Sequence, residues 1–270
     1  MFKKVLNIYL LLAISFLLNS CFQDVIDIDL EQNTNQIVIE AVLTDQPETQ
    51  YVKVSTTGDY FNDNSERSVS GAVVTMGSSS TQEVVFEEVE PGLYRNINMK
   101  GEPGLTYNLT VNVNGKIYTA SSTMPEPIPM DSIKLRSSRS YFFFTNYELT
   151  CYFTDKKDVR NYCWFKYFVN GEQVSETAFL YNDRNSDGRQ IKYDVFDEFY
   201  LNESDKLRLE VIALDENAYN YIYSLFGYQT QFDVDLPEFF PSNSFNPNTN
   251  ISNGAYGYFS ACAVKKYNIR

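Results

Sequence analysis

The sequence predicts a mainly β fold: an N-terminal immunoglobulin-like β-sandwich, followed by a second β-rich domain with one short helix. Three observations carry this. Short runs rich in Val, Ile, Thr and Tyr alternate apolar and polar side chains, the period of a half-buried strand. Turn residues separate these runs at close intervals, and Asn114-Gly115 and Asn170-Gly171 are tight-hairpin pairs. Helical spacing occurs in one stretch only, Tyr219, Ile222, Tyr223 and Phe226, at i, i+3, i+4 and i+7.

Taken in order, the chain opens with Lys3 and Lys4, then an apolar run from Val5 to Leu18. A membrane-spanning helix needs roughly 20 apolar residues, so this run is too short to cross and has the length of a signal peptide. It ends in Leu18-Asn19-Ser20-Cys21. A leucine three before a cysteine, with a small residue between them, is the pattern cleaved before a lipidated cysteine. The expected leader is residues 1–20, with Cys21 as the lipidation site. Residues 21–35 form a tether in which Val25-Ile26-Asp27-Ile28-Asp29 alternate. Each buried methylene of an acyl chain contributes about 0.8 kcal/mol, and two chains give stable anchoring.

Strands are predicted at 36–43, 51–57, 71–76, 84–86, 93–95, 107–113 and 116–123. Thr44-Asp45-Gln46-Pro47, Pro91-Gly92 and the stretch from Gly101 to Gly104 supply turns, and 58–70 reads as a polar loop. Seven short strands with turn signals between them define the sandwich at 36–124. The proline-rich stretch 125–130 reads as a linker.

The second domain, 131–270, has predicted strands at 131–136, 141–144, 147–153, 162–169, 177–181, 190–196, 206–214 and 256–264. The fourth of these is expected to pair with the third. Asp215 is placed to cap the helix. Residues 237–250 form a Pro- and Asn-rich loop.

Composition narrows the function. The net charge is −13, and loss of Lys3 and Lys4 with the leader makes it −15. Such a chain repels nucleic-acid phosphates, so nucleic acid is excluded as a partner. The sequence contains no histidine. That removes Ser-His-Asp and Cys-His catalysis and His-ligated zinc together. Carboxylate chemistry remains, but Glu87-Glu88, Asp197-Glu198 and Asp215-Glu216 are adjacent pairs. On a strand, neighbours point to opposite faces, so none forms a glycosidase pair by itself. The chain is read as non-enzymatic.

Besides Cys21 there are Cys151, Cys163 and Cys262, an odd number with no Cys-x-x-Cys spacing. Cys151 and Cys163 could bridge a hairpin; the favoured alternative is three buried thiols.

Two groups of residues are candidates for binding. Asp183-Arg184-Asn185-Ser186-Asp187-Gly188 begins like a calcium loop, with oxygen side chains at alternate positions and a glycine for the turn. Asp194 stands at position twelve, giving the set Asp183, Asn185, Asp187 and Asp194. A polar hairpin tip has the same composition. Apart from this candidate calcium ion and a covalent lipid, no cofactor is indicated. The second group is aromatic. Phe239, Phe240 and Phe245 lie in a loop where burial is hard to arrange, and Tyr141 and Phe143 sit in an aromatic run. These are candidate partner contacts; for the run, a strand buried between two layers is the alternative.

Several segments carry a resemblance in their order and spacing. They are Cys21 with Val25-Ile26-Asp27-Ile28, then Ile37-Val38-Ile39-Glu40-Ala41, Val69-Ser70-Gly71-Ala72-Val73-Val74 and Gly104-Leu105-Thr106-Tyr107. Met124-Pro125, Pro129-Met130-Asp131-Ser132-Ile133 and Asn250 to Phe259 complete them. The chain resembles a family of Bacteroidetes-type outer-membrane surface lipoproteins catalogued as a domain of unknown function. The resemblance implies a cell-surface location in the outer membrane and a TonB-dependent transporter as partner. The expected role is that of an accessory in substrate capture or gating; a structural or assembly role in an outer-membrane complex is the alternative. The resemblance supplies no catalytic residue.

Overall fold

The computed structural model describes residues 35–58, 67–139, 145–174, 178–202, 204–226 and 247–270; at 138–139, 145–146 and 196–200 it describes the backbone alone. Cys21, Tyr141, Phe143, Phe239, Phe240 and Phe245 lie outside the described residues. The fold is mainly β with a sandwich-like layout and, among the described residues, a single helix.

The sandwich is built from β1 (Ile37–Thr44), β2 (Gln50–Thr56), β4 (Val73–Ser78), β5 (Val84–Glu90), β6 (Leu93–Asn96), β7 (Thr106–Val113) and β8 (Lys116–Thr123), with a short β3 (Arg67–Ser68) beside β2. Alternation decides which face each strand buries. Ile39, Ala41 and Leu43 of β1 point inward, as do Tyr107, Leu109, Val111 and Val113 of β7. The turn at Asn114-Gly115 has φ of 51° and 86°, the left-handed pair that a two-residue hairpin requires. β5 serves both layers: Val84–Phe86 pair with β4, and Glu87–Glu90 with β6. One core therefore contains Ile39, Leu43, Val52 and Val54 with Val74, Met76, Leu109, Val111 and Tyr118. Fully burying side chains of this size stabilises by about 1.5–3 kcal/mol each.

The later part of the chain supplies β9 (Ser132–Arg139), β10 (Thr145–Thr154), β11 (Tyr162–Val169), β12 (Glu172–Gln173), β13 (Phe179–Asn182), β14 (Gln190–Tyr200), β15 (Leu207–Leu214), α1 (Glu216–Phe226) and β16 (Tyr256–Asn268). Strand β16 joins it to the sandwich. It runs antiparallel to β15 and parallel to β1, with Val38 opposite Tyr256 and Thr44 opposite Cys262. Its residues from Gly257 to Val264 are all buried, the signature of a strand covered on both faces. Where β1 ends, side chains continue the ladder: Val264 N donates to Asp45 Oδ1 (2.8 Å) and Gln46 Nε2 donates to Val264 O (2.9 Å). Strand pairing thus crosses the proline-rich segment 125–130, and the described residues fall within one compact unit, Thr34–Arg270.

The large sheet runs β12-β11-β15-β16-β1-β2-β6-β5-β4-β7-β8, while β14-β10-β9 form a smaller sheet. The expected pairing of β10 with β11 does not occur. β10 pairs with β9 and β14, whereas β11 pairs with β12, β13 and β15. The reason is aromatic. Phe153 of β10 meets Tyr181 edge-on at 5.1 Å, and Tyr193 of β14 stacks on Phe165 of β11 at 4.7 Å. These rings pack against one another between the two sheets, with Phe153 and Phe165 fully buried. Cys151 and Cys163 consequently belong to different sheets; with Cys262 they are free buried thiols.

The helix forms where the sequence places it. Asp215 Oδ1 accepts Ala218 N at 2.7 Å, and the same carboxylate accepts the hydroxyls of Ser122 and Tyr258. Tyr219 packs on Tyr162 at 5.0 Å, and Tyr221 stacks on Tyr258 at 4.8 Å. The cap therefore ties α1 to β8 and β16 at once.

Candidate functional site

Two connections cross from one sheet to the other side by side. Residues 155–161 lead from β10 to β11, and residues 183–189 lead from β13 to β14. Each prolongs a ladder. Asp155 N donates to Arg189 O (2.9 Å) one step beyond the Thr154–Gln190 pair, and Asp183 N donates to Asn161 O (3.2 Å) one step beyond Tyr162–Asn182. The register of two separate sheets thus brings the crossings together.

Three carboxylates meet there. Asp155, Asp183 and Asp187 each offer one oxygen, and these oxygens lie within 4.8 Å of one another. Each carboxylate also accepts a backbone N–H from the opposite crossing. Gly188 N donates to Asp155 Oδ2 (2.8 Å), Asn161 N to Asp183 Oδ2 (2.9 Å) and Asp158 N to Asp187 Oδ1 (2.8 Å). Asp155 is 5 % exposed and Asp183 1 % exposed, while Asp187 faces solvent. Asp183 Oδ1 is buried without a hydrogen bond. The Arg160 guanidinium stands 3.6 Å from it, on a side chain that is 65 % exposed.

The electrostatics follow from this crowding. Burial raises the Asp155 carboxyl above its ordinary value, and the charges of Asp183 and Asp187 push the same way against the Gly188 hydrogen bond. Tyr181, hydrogen-bonded to Ser186 at 2.8 Å, is pushed up to about 12, chiefly by burial. A buried carboxylate oxygen without a hydrogen bond costs about 1–3 kcal/mol or more, and here only the ion pair with the exposed Arg160 arm offsets that cost. The arrangement is a cluster of carboxylate oxygens with no soft ligand, suited to a hard cation.

Of the residues singled out in the sequence, Asp183 and Asp187 come together, and Asn185 is exposed on the same turn. Asp194 stands elsewhere. It lies on β14 opposite Thr150, four residues from Gln190 and so about 13 Å along the strand. Thr150 Oγ1 donates to its Oδ1 (2.7 Å) and Lys192 Nζ lies 2.6 Å from its Oδ2. Burial opposes its ionisation, but Lys192 and Thr150 outweigh that and hold the carboxyl below its ordinary value. Asp194 lines a separate surface pocket of about 250 Å³ with Arg136, Glu148 and Lys192. The residue missed by sequence reasoning is Asp155. Its turn, Asp155-Lys156-Lys157-Asp158, reads only as polar, and no local signal could place it against a loop nearly thirty positions away.

These features define a class: a β-sandwich-like protein, extended by a second small sheet, with an acidic site where its chain crosses between sheets. Residues 23–268 match the family described as domain of unknown function DUF4249, and the chain belongs to that family. No curated protein matches it. The segments that carried the resemblance are architectural where they are described. Tyr94 OH donates to Val69 O and accepts from Ala72 N, and Glu88 accepts from Gly71 N and Gly92 N. Asn250 bonds both N and O of Phe259, and Tyr267 OH accepts from Met130 N.

Proposed function

We propose that the protein is a lipid-anchored outer-membrane lipoprotein at the cell surface, acting as a non-enzymatic accessory of a TonB-dependent transporter in substrate capture or gating. The observation that carries this reading is Leu18-Asn19-Ser20-Cys21 at the end of a short apolar run that follows two lysines. Acyl chains on Cys21 would hold the folded body at a membrane without any spanning segment. In keeping with this, no described helix is long and apolar enough to cross a membrane. The absence of histidine supports a binding role over acid–base or nucleophilic catalysis.

Affinity purification of the tagged, full-length chain from detergent-solubilised membranes tests the partner. A TonB-dependent barrel is expected to co-purify in near-equal amount; its absence refutes the accessory role. Deletion of the gene separates capture from scaffolding, because capture predicts a growth defect restricted to particular nutrients. Cys21→Ser tests the anchor. The variant is expected to leave the membrane fraction, and retention through salt and carbonate washes would overturn the topology.

A further inference from the structure

We infer that Asp155, Asp183 and Asp187 form a calcium site that staples the two crossings between the sheets, independently of any transporter partner. Two observations carry it. The first is the geometry: three carboxylate oxygens within 4.8 Å of one another, contributed by both crossings. Calcium binds oxygen at about 2.3–2.6 Å, so oxygens on opposite sides of one ion stand roughly 5 Å apart, and the three fit around a single ion. The second is the innermost carboxylate. Asp183 is 1 % exposed, and its Oδ1 has no hydrogen bond although its Oδ2 is bonded to Asn161 N. The Arg160 guanidinium, 3.6 Å away on an exposed arm, forms an ion pair with it but no hydrogen bond. A divalent ion supplies what that oxygen lacks and offsets the mutual repulsion of the three charges.

The chemistry selects the ion. All three side-chain ligands are hard oxygens, which excludes a preference for zinc or copper. Magnesium demands near-ideal octahedral geometry and dehydrates reluctantly, whereas calcium accepts irregular sets of 6–8 oxygens completed by water. The ligand set differs from a twelve-residue loop: Asp155 enters from another connection and Asp194 takes no part.

The test is calorimetric titration of calcium chloride into the EDTA-treated full-length lipoprotein in detergent. Saturable one-site binding is expected, with a dissociation constant of about 10⁻⁴–10⁻³ M, as in extracellular modules. Asp187→Asn removes the exposed ligand, leaves the buried pair in place, and is expected to weaken binding at least about tenfold. Asp155→Asn should do the same, and Asp194→Asn should bind like the unaltered protein. Absence of saturable binding up to about 10 mM, tenfold above that range, overturns the inference. So does unchanged affinity in a folded Asp187→Asn variant, or loss of binding in Asp194→Asn, which would restore the twelve-residue loop.

Discussion

Replacing Gly257 with alanine probes the contact on which the joining of the two halves depends. Gly257 sits opposite Ile39 in the parallel β1–β16 pair, with φ of +88°. A Cβ added there would lie 2.1 Å from Ile39 O and 2.7 Å from Ile39 C. Both are backbone atoms of a central strand, so no side chain can rotate away. The positive φ costs an L-residue about 1–2 kcal/mol, and forcing atoms into a packed site costs about 1–3 kcal/mol more. The sum, about 2–5 kcal/mol, is a large share of a domain's typical 5–15 kcal/mol. At about 2–4 °C per kcal/mol for a domain of this size, the melting temperature should fall by about 4–20 °C. Gly254→Ala is the control. Its φ is +73° but an added Cβ meets nothing within 4 Å, so it carries the strain without the clash. Thermal melts of both variants, followed by far-UV circular dichroism, separate the two contributions. If Gly257→Ala melts no lower than Gly254→Ala, the close β1–β16 approach is not what constrains this glycine.

Three further outcomes are expected. Asp215→Ala removes the α1 cap and leaves the Ser122 and Tyr258 hydroxyls without their acceptor. A loss of about 2–4 kcal/mol should appear in urea unfolding, and a change below about 1 kcal/mol would contradict the network. Burial pushes the Cys151 and Cys262 thiols up to about 12 and Cys163 well above its ordinary value. Ellman's reagent should therefore find none of these three reactive in the folded protein and all three in denaturant; fast reaction of any one in the fold would refute their burial. Asp155 is raised in the fold above 3.8, first by burial and then by Asp183 and Asp187. Its protonated form contributes stability that is present below 3.8 and lost as pH rises through the folded value. In calcium-free buffer, Asp155→Asn should gain stability relative to the unaltered protein as pH rises from about 3 to 7, read from urea midpoints; a pH-independent difference would contradict the shift.

Much of the fold is legible because it is local. Tyr107 to Val113 alternates and lies half-buried as β7, and Asn114-Gly115 turns as that dipeptide should. Asp215 caps the helix whose spacing Tyr219, Ile222, Tyr223 and Phe226 announce. The reading of three buried thiols also holds, since each cysteine occupies a buried position of its strand. Partner choice between strands is another matter. Tyr162 to Val169 follows Thr145 to Thr154 closely enough to suggest a hairpin, yet the two strands enter different sheets. Aromatic rings at Phe153, Phe165, Tyr181 and Tyr193 favour packing face to face over pairing edge to edge, and strand alternation looks the same in either case.

The acidic site divides in the same way. Asp183 and Asp187 belong to one turn whose oxygen-rich spacing is visible in the chain, and their proximity is a property of a few consecutive dihedral angles. Asp155 reaches them only because the β10–β14 and β11–β13 ladders end at the same level. The sequence alone determined the β-rich composition, the helix and its cap, and the absence of histidine chemistry, and it carries the Leu18-Asn19-Ser20-Cys21 pattern on which the proposed anchor rests. Each of these is written in a short window or in bulk composition. Only the tertiary structure decided that β16 lies parallel to β1, that Asp155 replaces Asp194 beside Asp183, and that strand pairing crosses the proline-rich segment. Those are contacts between residues far apart in the chain, selected by which buried surfaces fit one another, and no short window of sequence encodes that fit.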